Sequence, residues 1–236
     1  MGDEGGEVLS ILNEEVEDWR EEQGVRDGEM HVFLGDSNGP GLVDAGLDVS
    51  PPDIIINRTE SGKKWTSLSI IVRRDINWWQ LAAQSFGCTM GVAVIWLSGN
   101  DSYPHPKRPL EPLIGLDALE AHILLVLRTL RDVARRVIIV GPIPRFRFDR
   151  GLPWERTPAY QAERLIVKML QRENLTPSFA EVCCVGRYFS VRVRSRRVVG
   201  DKCAQLFADD GIHLSSAGYR LVLSKLPRWL QPDAGA

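Results

Sequence analysis

The chain has 236 residues, of which 44% are hydrophobic and 25% are charged, a composition typical of a globular domain with a substantial core. No apolar run reaches the roughly 20 residues that a membrane-spanning helix needs, and the acidic amino terminus is unlike the cationic start of a secretory signal. We therefore expect an intracellular, cytoplasmic protein. The four cysteines show neither zinc-ligand spacing nor a disulfide framework, so we expect no metal and no other cofactor.

Acidic side chains are concentrated at the start of the chain. Residues 1–30 hold eleven Asp or Glu and two Arg, which leaves 27 basic and 20 acidic side chains for the rest. The sequence predicts a helix over 6–23, because apolar residues recur at helical spacing at Val8, Leu12, Val16 and Trp19. We therefore divide the chain into an acidic helical segment, 1–29, and a main domain, 30–236. The helix either docks on that domain or is part of a segment through which the protein self-associates.

Strands and helices alternate through the main domain. Short apolar runs predict strands over 31–34, 53–57, 91–97, 136–140 and 181–185. Amphipathic or long helical patterns separate them, over 65–86, 117–135, 157–174 and 215–230. Continuous apolar strands separated by helices are typical of a mainly parallel sheet that is covered on both faces. The sequence therefore predicts an α/β domain.

Two connections are rich in arginine. Residues 142–157 interleave arginines with Phe146, Phe148 and Trp154. This segment borders the carboxyl edge of the sheet, where it either contacts an apolar substrate or lipid head groups or packs as a lid on its own protein. Residues 187–199 predict an added hairpin with one cationic face, because arginines alternate with other residues at Arg192, Arg194, Arg196 and Arg197.

The first strand ends in the stretch with the clearest functional signal. Three apolar residues are followed by Gly35-Asp36-Ser37-Asn38-Gly39-Pro40-Gly41, which is almost entirely turn chemistry. A parallel strand that runs into such a turn presents its last polar side chain at the carboxyl edge of the sheet, where ligands bind. Ser37 is therefore either a nucleophile or one of several turn residues that satisfy the local backbone.

Three further polar loops follow predicted strands or precede the last helix. They contain Gly62, the pair Asn100-Asp101, and the sequence Asp209-Asp210-Gly211-Ile212-His213. A serine needs a base within hydrogen-bonding reach, and His213 can take its proton. Asp210 can orient the ring and balance the charge of the imidazolium, with Asp209 as the rival acid. Ser37, His213 and Asp210 together predict acyl transfer.

On these residues the sequence resembles the SGNH, or GDSL-like, hydrolase family over about 31–230. The matching blocks occur in order at Gly35-Asp36-Ser37 with Gly41, at Gly62, at Asn100-Asp101 and at Asp210-Gly211-Ile212-His213. The sequence departs from the family pattern at Ser98, where the third block begins with glycine, and at Asn38, where an apolar residue is frequent. Neither departure removes a group that takes part in the chemistry.

The resemblance implies a three-layer α/β/α sandwich with a five-stranded parallel sheet. Carried over by position, Ser37 is the nucleophile, His213 the base and Asp210 the acid that orients it. The oxyanion hole is formed by the Ser37 amide, the Gly62 amide and the Asn100 side chain. A metal-independent serine esterase, acting on acetyl or lipid esters, is the function that follows. A carbohydrate deacetylase would use the same residues.

The main alternative is a binding module. Some SGNH-like domains have lost catalysis and bind RNA, and the arginines of the predicted hairpin, with Tyr188 and Phe189 beside them, suit phosphates and bases. A narrower resemblance is to the SGNH esterase domains of retrotransposon open-reading-frame proteins. It depends on the acidic preceding helix, the missing secretion signal and the wording Asp-Gly-Ile-His-Leu, and it implies an esterase fused to a self-associating segment.

Overall fold

The structure, a computed structural model, describes residues 28–97, 99–103 and 114–231. Five parallel strands form its central sheet: β1 (Gly28–Gly35), β2 (Ile54–Thr59), β3 (Cys88–Trp96), β4 (Arg136–Val140) and β5 (Ala180–Cys183). They lie in the order β2-β1-β3-β4-β5. The chain leaves β1 towards β2 and then returns to place β3 on the other side of β1. The strand order therefore reverses between β1 and β3, and in open α/β sheets such a point forms the ligand crevice.

Seven α-helices connect and follow these strands in the described part of the chain. They are α1 (Gly39–Asp44), α2 (Trp65–Ser85), α3 (Gly99–Ser102), α4 (Leu116–Arg131), α5 (Phe146–Asp149), α6 (Pro158–Arg172) and α7 (Ser216–Leu223). Short 3-10 helices lie at Trp154–Arg156, Gly186–Phe189, Asp201–Leu206 and Arg228–Leu230. None of the helices that the structure describes has both the length and the apolar character that crossing a bilayer requires.

Side chains of each strand alternate between two buried layers. In β1, Val32 and Leu34 pack on the side of α2, α4 and α6, whereas Phe33 packs on the side of α1 and α7. The same alternation holds in β4, where Ile139 faces the first layer and Val140 the second. Both faces of the sheet are therefore covered, because successive strand residues point in opposite directions. The predicted three-layer α/β/α sandwich is confirmed.

The five predicted strands and four longer helices are all present, with shifted ends. Strand β1 begins at Gly28, because Gly28 and Glu29 already pair with Cys88 and Thr89 of β3. The last helix ends at Leu223 instead of 230, and Pro227, which has no amide hydrogen, follows in the next turn. The predicted helix over 6–23 lies outside the described residues.

The arginine-rich hairpin is also present. Strands β6 (Val191–Val193) and β7 (Arg196–Val198) pair antiparallel, and Arg194 in the connecting turn has φ +54°. The hairpin is joined to the segment after β4, because Val199 donates from its amide to Leu152 O (3.0 Å). It therefore extends the structure beside the loop that follows β4.

Candidate active site

Ser37 lies in a tight turn between β1 and α1. The Asp36 amide donates to Trp96 O (3.2 Å), and the Gly39 amide donates to Asp36 O (3.0 Å), so the turn is held at the boundary of β1 and β3. Two glycines allow the close packing that follows. A Cβ on Gly39 would lie 2.1 Å from the Thr59 side chain, and one on Gly41 would lie 2.3 Å from the Tyr219 ring. The strand-to-helix turn therefore presents a half-buried Ser37 at the reversal point of the sheet.

His213 and Asp210 lie on a short loop that closes on itself before α7. Phe207 and Leu214 form an antiparallel bridge, and the Ala208 amide donates to His213 O (2.9 Å). Gly211, with φ +64°, provides the left-handed turn inside this loop. The loop therefore fixes the two side chains on one side of a small hairpin-like turn.

The structure brings Ser37, His213 and Asp210 into one hydrogen-bonded chain. His213 Nδ1 lies 2.6 Å from Asp210 Oδ2, and His213 Nε2 lies 2.9 Å from Ser37 Oγ. A carboxylate only accepts, so Nδ1 carries the hydrogen and donates to Asp210. Nε2 is then free to accept the hydrogen of the Ser37 hydroxyl. This is the arrangement in which a serine can transfer its proton as it attacks.

Asp210 is the carboxylate that the loop holds in the ionised form. Its Oδ1 accepts the amides of Ile212 (2.8 Å) and His213 (2.9 Å). Partial burial opposes ionisation, but these amides and the His213 ring outweigh it, so the pKa of Asp210 lies below its ordinary value. The rival acid Asp209 is exposed on the preceding position, and the bond to His213 is made by Asp210.

Asn100 connects the loops after β2 and β3. Its Nδ2 donates to the carbonyl of Lys63 (3.1 Å), the residue after Gly62, and its Oδ1 accepts from the Arg145 guanidinium (2.9 Å). Gly62 has φ +79° and open space around its Cα. The structure thus places Asn100 against the Gly62 loop, at the sheet edge where β1 ends and the turn of Ser37 begins. Ser98, the departure from the family pattern, lies outside the described residues.

Asp101 also connects the segment of Asn100 to the segment that follows Gly62. Its buried carboxyl accepts the amide of Trp65 at 3.2 Å and 3.3 Å, at the start of α2. Burial raises the pKa of Asp101 to about 7, although the Trp65 amide and Lys64 favour the charged form. The carboxyl therefore links the loop of Asn100 to the beginning of the helix that follows Gly62.

Arg145 is a residue of this site to which the sequence patterns gave no role of its own beyond membership of the arginine-rich connection 142–157. It is only 6% exposed, and its guanidinium reaches Asn100 from the loop after β4. Burial lowers its pKa, whereas the charges of Asp36, Tyr103, Asp149 and Asp210 raise it. The available signal was position: Arg145 follows Gly141-Pro142-Ile143-Pro144 at the carboxyl end of β4, the same sheet edge as Ser37.

The three aromatic residues proposed for substrate contact differ in their surroundings. Trp154 is 3% exposed and packs on Tyr160, with ring centroids 5.7 Å apart, so its ring is used in packing inside the protein. Phe146 is half-buried and stacks on Phe207 at 5.6 Å. Phe148 is 40% exposed and stacks on Tyr103 at 6.2 Å. The segment after β4 is therefore mostly packed on its own protein, as the lid alternative expects.

The arginines of the hairpin also fall into two groups. Arg197 is used inside the protein, because its Nη1 donates to the carbonyls of Arg187 (2.9 Å) and Ser190 (3.1 Å). Arg192, Arg194 and Arg196 are exposed. Phe189, which was proposed to stack on a base, is fully buried, and that part of the binding hypothesis is wrong because its ring has no accessible face.

One group of side chains in the described residues has the types and the proximity for a metal ion: Glu29, His31 and Asp53. His31 Nδ1 accepts the Val92 amide (3.0 Å), so in the neutral ring Nε2 carries the hydrogen and has no lone pair for a cation. Both Glu29 carboxylate oxygens accept from Arg135 at 2.6 Å. Burial lowers the pKa of His31 despite the nearby carboxylates. The group is therefore a packing and ion-pair cluster that does not fit a metal.

Several solved structures are similar to this chain. An acetylxylan esterase from Geobacillus stearothermophilus is 18% identical, with a TM-score of 0.57, over 89% of this chain and 97% of its own. The acetyl xylan esterase AlAXEase is 15% identical, with a TM-score of 0.58, over 83% and 96%. TesA is 15% identical, with a TM-score of 0.58, over 86% and 99%. No protein-family model and no curated protein matches the chain.

Three further structures of the Geobacillus enzyme are catalytic mutants in which a serine, an aspartate or a histidine is replaced by alanine. The aspartate and the histidine are three positions apart in that enzyme. At these identities the comparisons concern the fold. The chain therefore shares the three-layer α/β/α fold of these solved structures, two acetylxylan esterases and TesA among them.

Proposed function

We propose that the protein is a serine esterase that hydrolyses carboxylic esters with Ser37 as nucleophile. The observation that carries the proposal is the hydrogen-bonded chain from Asp210 through His213 to Ser37, with separations of 2.6 Å and 2.9 Å. The esterases of similar fold support it, because the aspartate and histidine replaced in the catalytic mutants of the Geobacillus enzyme have the spacing of Asp210 and His213.

In the first half of the reaction Ser37 Oγ attacks the carbonyl carbon of the ester while its proton passes to His213 Nε2. The Asp210 carboxylate stabilises the imidazolium and holds the ring in place. The carbonyl oxygen becomes an oxyanion, which accepts from the amides of Ser37 and Gly62 and from Asn100 Nδ2. Collapse of this intermediate breaks the bond to the alcohol, which leaves with the proton from His213.

In the second half a water molecule gives a proton to His213 Nε2 and attacks the acyl carbon of the ester formed on Ser37. The same donors hold the second oxyanion. Its collapse releases the carboxylic acid, and the proton on His213 returns to Ser37 Oγ. Each proton that leaves Ser37 or water is thus received by one ring nitrogen, so a single base serves both steps.

The substrate that we propose is an acetyl or other short acyl ester, with an acetylated carbohydrate as one candidate. Acetylxylan esterases are among the proteins of similar fold. Trp154 is buried, Phe146 packs on Phe207, and Phe148 alone of the three is substantially exposed. With Leu152, which is 38% exposed, Phe148 forms only a small apolar surface after β4 for a long acyl chain, and we therefore favour short esters over lipid esters.

Hydrolysis of p-nitrophenyl acetate and p-nitrophenyl palmitate tests the activity and the chain length together. We expect hydrolysis of the acetate, with a much lower rate for the palmitate. Ser37→Ala and His213→Ala should each lower kcat by on the order of 10⁴-fold or more, since either change disables the nucleophile and base as a unit. Ser178→Ala, at an exposed serine, is the matched control. An unchanged rate in Ser37→Ala would contradict the mechanism.

A second candidate is polyanion binding by the hairpin, favoured by the exposed guanidinium groups of Arg192, Arg194 and Arg196. It predicts retention on immobilised RNA that weakens with salt and is lost when these three arginines are replaced by alanine. A binding role of this kind gives no reason for the bond between Ser37 and His213. We therefore rank it below the esterase.

A further inference from the structure

We propose that Arg145 is a positioning residue for the oxyanion hole: its guanidinium holds the side-chain amide of Asn100 in the one orientation that directs an N–H towards the substrate oxygen. The inference rests on the proposed esterase function and adds to it a residue outside the matching blocks. It depends on the hydrogen bonds of Asn100, on the burial of Arg145 and on the charges around it.

The two ends of the Asn100 amide have different partners. Oδ1 accepts from Arg145 Nη2 at 2.9 Å, and Nδ2 donates to the Lys63 carbonyl at 3.1 Å. A guanidinium has only donors and a carbonyl only accepts, so the opposite orientation of the amide would lose both bonds. One Nδ2 hydrogen is thus used by the Gly62 loop, and the other is left for the oxyanion.

Arg145 is itself held from several sides. Its backbone amide donates to Asp149 Oδ2 (3.0 Å), which also accepts the Tyr103 hydroxyl. Its guanidinium lies over the Tyr103 ring, 5.1 Å from the centroid. Arg145, Asp149 and Tyr103 are all buried. A side chain with so few accessible conformations can fix the amide that it contacts.

The guanidinium also balances a buried carboxyl next to the nucleophile. Arg145 Nη2 and Asp36 Oδ2 each lie 3.5 Å from the position that a Cβ on Gly99 would take, so the two groups are within twice that distance of each other. Burial raises the pKa of Asp36, and the charges of Arg145 and His213 oppose this rise. The attraction between the two groups therefore helps to hold the Arg145 guanidinium against Asn100.

A double-mutant cycle separates this role from a structural one. Asn100→Ala should lower kcat by about 10²–10³-fold, because it removes one oxyanion donor. Arg145→Met should lower kcat by on the order of tenfold or more, with KM changed by less than about threefold. In the double variant the Arg145 substitution should cost less than about twofold beyond Asn100→Ala, since its effect passes through the amide that is already gone.

The controls keep the outcome interpretable. Arg156→Ala, at an exposed arginine of the same connection, should keep wild-type kcat. Circular dichroism and thermal unfolding report whether each variant folds, and the cycle is run with Arg145→Lys if Arg145→Met does not fold. The inference is overturned if the folded Arg145 variant has wild-type kcat, or if the two losses multiply in the double variant. If hydrolysis persists unchanged in Ser37→Ala, the proposed function is overturned, and this inference with it.

Discussion

His213 Nε2 lies 2.9 Å from Ser37 Oγ, although 176 positions separate the two residues in the chain. Ser37 is placed by the end of β1, and His213 by the closed loop between the Phe207–Leu214 bridge and α7. Neither β1 nor this loop by itself fixes the distance between Ser37 and His213. The sheet and the helix layer bring the two together, because α7 packs on the face of the sheet that also contacts α1. The geometry that supports the catalytic proposal is therefore a consequence of tertiary packing.

The identity of the acid can be tested with two adjacent aspartates. In Asp210→Asn the amide oxygen still accepts the backbone amides of Ile212 and His213, but its nitrogen donates towards the ring. Nδ1 must then accept, so Nε2 carries the hydrogen and cannot take the proton of Ser37. We expect kcat for p-nitrophenyl acetate to fall by on the order of 10³–10⁴-fold with little change in stability. Asp209→Asn should keep wild-type kcat, and a large loss in that variant would assign the acid to Asp209 instead.

The Gly62 loop can be tested by adding a single methyl group. Gly62 has φ +79° and no atom within 4 Å of a new Cβ, so alanine meets no clash but is strained by the left-handed backbone. We expect Gly62→Ala to lower the free energy of unfolding by about 1 kcal/mol and to lower kcat as the loop shifts. Gly115→Ala is the matched control, because that site is also open and its φ is −67°. Equal kcat in the two variants would remove Gly62 from the proposed oxyanion hole.

Glu163 predicts a pH dependence of stability. Its carboxyl on α6 is buried, and burial raises its pKa from 4.5 to about 7, against the opposing influence of Cys184 and Arg187. The folded protein therefore binds this proton more tightly than the unfolded chain does. The stability that it contributes is complete below about pH 4.5 and is lost as the pH rises towards about 7.

Glu163→Gln should remove this contribution. Between about pH 5 and about pH 8 the free energy of unfolding should fall in both proteins. We expect the fall to be smaller in the variant by on the order of 1–2 kcal/mol, because the amide does not titrate. Urea unfolding at the two pH values measures the difference. Glu155→Gln, at an exposed glutamate, should match the wild type. Asp101, whose pKa is also raised to about 7, keeps part of the dependence in every variant.

Sequence patterns were sufficient for the layered fold, because each strand and each long helix has a local signature. The apolar runs that became β3 and β4 are continuous since both faces of the sheet are buried. Ends were less predictable: the last helix stops at Leu223, well before the end of its apolar pattern. Local periodicity records which residues need burial, whereas a helix end also depends on what the next turn packs against.

The site was predictable in part for the same reason. Ser37, Asp210 and His213 stand in polar loops of recognisable composition, so their candidacy needed no coordinates. The burial of Arg145 and Trp154 was not predictable, because an arginine or tryptophan in an arginine-rich connection has the same local sequence whether it faces solvent or protein. Arg145 is only 6% exposed, because its side chain interacts with Asp36, Asn100 and other residues that are distant in the chain.

The sequence by itself determined the alternation of buried strands and amphipathic helices, and it placed a serine, an aspartate and a histidine in turns, because these are local properties of side-chain polarity and backbone preference. Only the tertiary structure decided that Asp210 and not Asp209 meets His213, which way the Asn100 amide faces, and that Arg145 turns inward. The first outcome depends on how the loop closes between Phe207 and Leu214. The other two depend on contacts between distant segments, whose geometry is fixed only when both layers close on the sheet.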